Sequence, residues 1–173
     1  PHFDMLANLY KKLVKRYPVY YAFGNHEQRM KEEPLTYPGW WQGYWKVLKD
    51  SDMHVLVNKS EEIIKNGTAM RISGITLPRE CYRKGRIPSL SAGYIDKKIG
   101  KASDKNFELL LAHTPTFAKT YADCKYIQQD DLPPRQKPVI AAPVHVNLFL
   151  LFSENLTPIY YISKRLEFPY RNH

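Results

Sequence analysis

The chain has 173 residues, 43% of them hydrophobic and 25% charged, which is enough to enclose one core and excludes a disordered or fibrous protein. No stretch approaches the ~18 consecutive apolar residues that span a bilayer; the best candidate, residues 144–152, is short and interrupted by Asn147. A net charge of +9 and a pI near 9.4 suit phosphate-rich partners such as nucleic acid, and equally a solvated basic face with no specific partner.

Two cysteines far apart, Cys81 and Cys124, exclude a disulfide framework and a cysteine zinc site, and read as reduced thiols. No signal peptide is visible, so the expected location is the cytoplasm or the periphery of a membrane, with an upstream signal or anchor left open.

In chain order, Phe3, Leu6, Leu9, Leu13, Val14 and Tyr17 recur at helical spacing and predict a helix over residues 3–17, ended by Pro18. Residues 18–23 (PVYYAF) form an apolar run that predicts a strand. Directly after it stand Gly24, Asn25, His26 and Glu27, an amide, an imidazole and a carboxylate on what reads as one tight turn, with Gly24 supplying permissive backbone. Open α/β sheets bind ligands at the carboxyl ends of their strands, so these side chains are placed for chemistry; an ordinary turn with Asn at positive φ is the competing explanation.

Residues 29–45 are rich in proline and aromatics and predict a loop leading into a helix over 40–50. Trp40, Trp41 and Trp45 are expected to pack over the sheet edge, with a substrate wall or a membrane-leaning lip as the alternative. Short strands are predicted over 55–58, 61–64 and 69–76, the last two joined by the hairpin signal Asn66-Gly67. Residues 77–105 carry Arg79, Arg83, Lys84, Arg86, Lys97, Lys98, Lys101 and Lys105 and read as an irregular surface excursion, or as a lid that steers phosphate.

The run 107–115 (FELLLAHTP) predicts a second buried strand, ending in His113, Thr114 and Pro115. A buried imidazole needs a partner for each ring nitrogen, and a metal or a phosphate is such a partner. Gly24-Asn25-His26-Glu27 after one strand, and Ala112-His113-Thr114-Pro115 after another about ninety positions later, resemble the calcineurin-like metallophosphoesterases of the bacterial single-domain branch, over residues 1–126. The resemblance implies an α/β fold, a two-sheet β-sandwich flanked by helices, here truncated at the N-terminus and atypical at the C-terminus. It implies hydrolysis of phosphomonoesters or phosphodiesters by a metal-activated water at a site of two divalent ions, Mn, Fe or Zn. By the same resemblance Asn25 and His113 are metal ligands, and His26 acts near the phosphate and its leaving group.

Other motifs of that family do not appear. Only 23 residues precede Gly24, so the Asp-x-His and Gly-Asp-x-x-Asp expected before it are not in the chain, and residue 1 reads as a cut inside a domain. Downstream, residues 124–143 stand where Gly-His-x-His is expected, and no glycine occurs after Gly100. A reading-frame change near Tyr126 is the favoured explanation, divergence the other; residues 127–173 remain an unassigned tail.

The other histidines and carboxylates have ordinary explanations. His145 reads as an outward strand residue ahead of a replacement ligand, His2 and His54 as surface or helix-start residues, and Asp123, Asp130 and Asp131 as turn or capping groups. Catalytic metal sites hold three or more protein ligands, so the isolated chain is expected to bind metal very weakly and to hydrolyse nothing useful. A catalytically degenerate scaffold and a basic nucleic-acid-binding module are the alternatives; substrate and oligomeric state are not assigned.

Overall fold

The computed structural model describes residues 3–65, 68–83, 85, 87–103, 107–124, 148–152 and 158–159. They form a mixed α/β protein with two small sheets and five helices. Helix α1 (Asp4–Val14) leads into β1 (Val19–Ala22), α2 (Asn25–Glu32) and α3 (Trp40–Lys49). Then come β2 (His54–Val55), β3 (Lys59–Lys65), β4 (Thr68–Ile75), α4 (Ala92–Ile99), β5 (Phe107–Ala112), α5 (Ala118–Asp123), β6 (Leu148–Phe152) and β7 (Pro158–Ile159).

The first sheet runs β2-β1-β6-β7 and the second β3-β4-β5. In the first, β2 lies parallel and β6 antiparallel to β1, and β7 pairs antiparallel with β6; in the second, β3 and β4 are antiparallel and β5 is parallel to β4. The part of the tail in β6 thus hydrogen-bonds along β1.

Period-two alternation explains why the run PVYYAF is apolar throughout. Tyr20 and Ala22 join Met70, Ile72, Leu109 and Leu111 in a cluster shared by both sheets. Val19, Tyr21 and Phe23 face the other way, into a cluster with Leu6, Tyr10, Met30, Tyr44 and Leu48 from α1, α2 and α3. Strand β5 alternates in the same manner, sending Leu110 and Ala112 to a third cluster with Ile95, Ile99, Cys81 and Cys124. A strand buried on both faces has no polar side to show. Gly74 lies against the chain just after β2: a Cβ there would lie 2.2 Å from the Leu56 carbonyl oxygen, so only glycine fits.

The helix at 3–17, the strands at 18–23 and 107–115 and the helix near 40–50 stand where the sequence places them, with the strands over 61–64 and 69–76 inside β3 and β4. All three tryptophans pack onto the cluster under α3, Trp41 and Trp45 edge-on to Phe23 at 5.5 and 6.1 Å. Both cysteines are buried and unbridged, and burial pushes both thiols up.

Two expectations need correction. The strand expected at 55–58 is only the two-residue β2, because the chain turns at Asn58, whose φ is 51°. The basic segment 77–105 is no irregular excursion: it holds a short 3-10 helix (Arg79–Tyr82) and α4, whose Ile95 and Ile99 are buried one turn apart, with Ser91 capping α4 by accepting the Tyr94 N–H. His54 is an exposed surface residue as expected, at the start of β2, stacked on Tyr20 at 4.5 Å, with Nδ1 2.6 Å from Glu61 Oε2, so it ties the first sheet to β3. His2, Asn66, Gly67, Lys84, Arg86, Lys105, Asp130, Asp131 and His145 lie outside the described residues.

Candidate functional site

Gly24-Asn25-His26-Glu27 is the start of a helix rather than a tight turn. The sequence from Asn25 to Glu32 consists largely of good helix formers, and Glu27 fixes where the helix begins. Its carboxylate, 3% exposed, turns back and accepts the Gly24 N–H at 2.8 Å, which meets one of the backbone donors that a helix start leaves open. Asn25 and His26, both half-buried, are the first two residues of α2.

Gly24 is also not glycine for its dihedrals. Its φ of −97° and ψ of −172° are open to any residue. The reason is His113. A Cβ on Gly24 would lie 2.8 Å from His113 Nδ1, 2.9 Å from Cε1 and 3.0 Å from Cγ, so the imidazole occupies the space that a side chain would need. Strand β1 delivers Gly24 and strand β5, from the other sheet, delivers His113. The two landmarks of the sequence therefore meet, with the imidazole beside the first turn of α2.

The ring of Tyr82 lies 5.9 Å from the His113 ring at 60°, and its hydroxyl accepts the Leu77 N–H. Burial pushes the Tyr82 phenol up to about 12. Arg79, in the same 3-10 helix, pairs with Glu33 and approaches Glu32 at 3.9 Å, clamping that segment to the end of α2. On the core side of α2 the hydroxyl of Tyr44 bonds those of Tyr21 and Tyr10. Burial, joined by the negative charge of Glu27, pushes Tyr10, Tyr21 and Tyr44 above their ordinary values.

Comparison with protein families, curated proteins and solved structures finds no match. What the site can do is therefore argued from its donors. Asn25, His26 and His113 offer the oxygen and nitrogen ligands that divalent ions accept, but among the described residues no three of His, Cys, Asp and Glu come together. Asn25 and His113 suit two places in a metal shell and do not complete one.

Glu27, which the sequence set beside Asn25 and His26 for chemistry, holds the helix start, a role the sequence did not assign to it. Its signal was a carboxylate three positions after Gly24, the spacing of a helix start. A second feature gave no sequence signal at all: a cleft of about 230 Å³ between α2 and α4, lined by Gln28, Lys31, Asn58, Thr76, Tyr94 and Lys98 among others. No helix of the described residues is long and apolar enough to cross a membrane.

Proposed function

We propose that this chain carries part of a calcineurin-like metal-dependent phosphoesterase site, in which Asn25 and His113 are metal ligands and His26 serves the leaving group. The observation that supports the reading most is the seating of the His113 imidazole on Gly24, which joins two motifs from different sheets at one place. Apolar clusters on both faces of each sheet, with α1–α3 beyond one and α4–α5 beyond the other, accord with a two-sheet sandwich flanked by helices.

In this reading a pair of divalent ions, Mn, Fe or Zn, supplies an acidified water and neutralises charge on the phosphate. Asn25 would present its amide oxygen from the first position of α2, held there by the Glu27 contact to Gly24. His26, one residue on, would give a proton to the departing oxygen. The donor set explains why the chain alone is expected to be inactive: two ligands bind a metal weakly.

The test is a titration of the isotopically labelled chain with Mn2+, followed by nuclear magnetic resonance. Paramagnetic broadening is expected first at Asn25, His26 and His113, and should weaken in His113→Ala. Hydrolysis of p-nitrophenyl phosphate and its bis ester should stay at background. Broadening centred elsewhere would remove the proposed site, and efficient hydrolysis with Mn2+ alone would refute the predicted inactivity.

A further inference from the structure

The outward face of α1 carries a pattern that neither the core nor the candidate site uses. Phe3, Leu6, Tyr10, Leu13, Val14 and Tyr17 turn inward, onto the cluster with Tyr44 and Leu48. On the opposite side Met5, Leu9, Lys12 and Arg16 recur at intervals of four, three and four and so form one stripe, with Lys11 and Lys15 beside it. The Tyr17 N–H still bonds the Leu13 carbonyl, so the helical register runs through Arg16. All six residues are exposed, Met5 to 77% and Leu9 to 37%.

Helix α3 extends this surface. It lies beside α1, with Tyr44 edge-on to Phe3 at 5.9 Å and its hydroxyl 3.5 Å from that of Tyr10. At the end of α3 the Asp50 carboxyl is held below its ordinary value by the hydrogen bond from Lys46 and by the charges of Lys46, Lys49 and Lys11. Cations from both helices therefore gather at one place. Lys11, Lys12, Lys15, Arg16, Lys46 and Lys49 stand against three carboxylates, Asp4, Asp50 and Asp52. Of these cations Lys46 alone is ion-paired among the described residues.

Helix ends favour cations in their last turn, which accounts for Lys11, Lys12, Lys46 and Lys49. It does not account for large apolar side chains left in water on the same face. A partner that is anionic at its surface and apolar beneath suits both groups, and a lipid headgroup layer is built that way. Nucleic acid is also anionic, but proteins that grip single strands add rings that stack on bases. No exposed residue of α1 or α3 is aromatic.

We infer that α1 and α3 dock this chain reversibly on an anionic lipid bilayer, Met5 and Leu9 entering the headgroup layer and the unpaired cations resting on lipid phosphates. The inference does not depend on whether His113 ligates a metal.

The test is sedimentation of the chain with vesicles of phosphatidylcholine alone, and of phosphatidylcholine and phosphatidylglycerol in equal parts. Binding is expected to the anionic vesicles only, and should fall as salt rises. Lys12→Gln, Lys15→Gln and Arg16→Gln together should weaken it about a hundredfold. Lys97→Gln, Lys101→Gln and Lys119→Gln remove the same charge from exposed positions on α4, just after it and on α5, and should change binding less than about threefold. Met5→Gln leaves the charge intact and should weaken binding about fivefold by removing the apolar contact. Equal losses from the two triple variants would mean adsorption by net charge and overturn the proposal. So would absence of binding to anionic vesicles at low salt, or binding to an RNA oligonucleotide that is tighter than to the vesicles and indifferent to Met5→Gln.

Discussion

The imidazole of His113 lies across Gly24 with no room for a methyl group, since a Cβ there would come within 2.8 Å of Nδ1. The backbone at Gly24 is extended, so Gly24→Ala brings no dihedral strain and its whole effect must come from displacing the ring. Forcing a methyl group into such a space costs ~1–3 kcal/mol. Urea denaturation of Gly24→Ala, His113→Ala and the double variant checks this. The alanine at 24 should be costly beside His113 and nearly harmless beside Ala; equal costs in both backgrounds would show that the ring is not what forbids a side chain.

Glu27 should govern the first turn of α2. Its carboxylate is buried and accepts the Gly24 N–H, so Glu27→Ala leaves that donor without its partner and loses the cap. The expected cost is about 1–2 kcal/mol. Hydrogen exchange should show faster opening at Gln28, whose N–H bonds the Gly24 carbonyl, while protection in β4 is retained. Unchanged exchange at Gln28 would mean that the helix start does not depend on Glu27. Because Asn25 and His26 sit in this turn, any Mn2+ broadening there should weaken as well.

The elements legible in the sequence are those whose burial repeats with a clear period. Helix α1 presents Leu6 and Tyr10 one turn apart, and β1 and β5 are apolar along their length, Glu108 excepted, because both faces are covered. Helix α2 has no such stripe: its buried residues are Glu27 and Met30 alone, so periodicity is silent and the loop reading prevailed. Helix α4 is short and buries Ile95 and Ile99 amid lysines, which read as surface. Strand β6 came from a stretch, residues 144–152, weighed as a membrane span and read as strand only around His145. At the site, the sequence marked both strand ends, Gly24 and His113, as places for chemistry. It did not carry their contact, which depends on how two separate sheets abut, nor the cleft, whose walls come from five stretches of chain.

The buried tyrosine hydroxyls predict an alkaline limit to stability. Tyr10, Tyr21 and Tyr44 are raised by burial above their ordinary value, and Tyr82 to about 12. Each holds its proton more tightly in the folded chain than in the unfolded one. Once pH passes the ordinary tyrosine value of 10, the unfolded state releases protons that the folded state keeps. Stability from these groups is therefore intact below that pH and is lost as pH climbs through the folded-state values. Urea midpoints measured across this range should fall, and tyrosinate absorbance should show a group that ionises only as the chain unfolds. If all 13 tyrosines titrate together near 10 with no loss of structure, the hydroxyl cluster is not buried as described.

Arg71 and Glu108 face each other in register on β4 and β5, joined by a 2.7 Å bond from Arg71 Nε to Glu108 Oε2. Glu108 is 2% exposed and also accepts the Ser103 N–H, while Arg71 donates to the carbonyls of Ile99 and Lys101. One ion pair thus fastens the chain after α4 to the second sheet. Removing one partner of a buried pair is far more harmful than replacing both, because the remaining charge stays desolvated. Arg71→Ala should destabilise by ~3–5 kcal/mol, whereas Arg71→Met combined with Glu108→Leu should recover most of that loss. Hydrogen exchange should also show residues 100–103 released in both variants, since the carbonyl contacts go with the guanidinium. A loss of under about 1 kcal/mol in Arg71→Ala, the range of a surface pair, would mean that Glu108 finds solvent when its partner is gone.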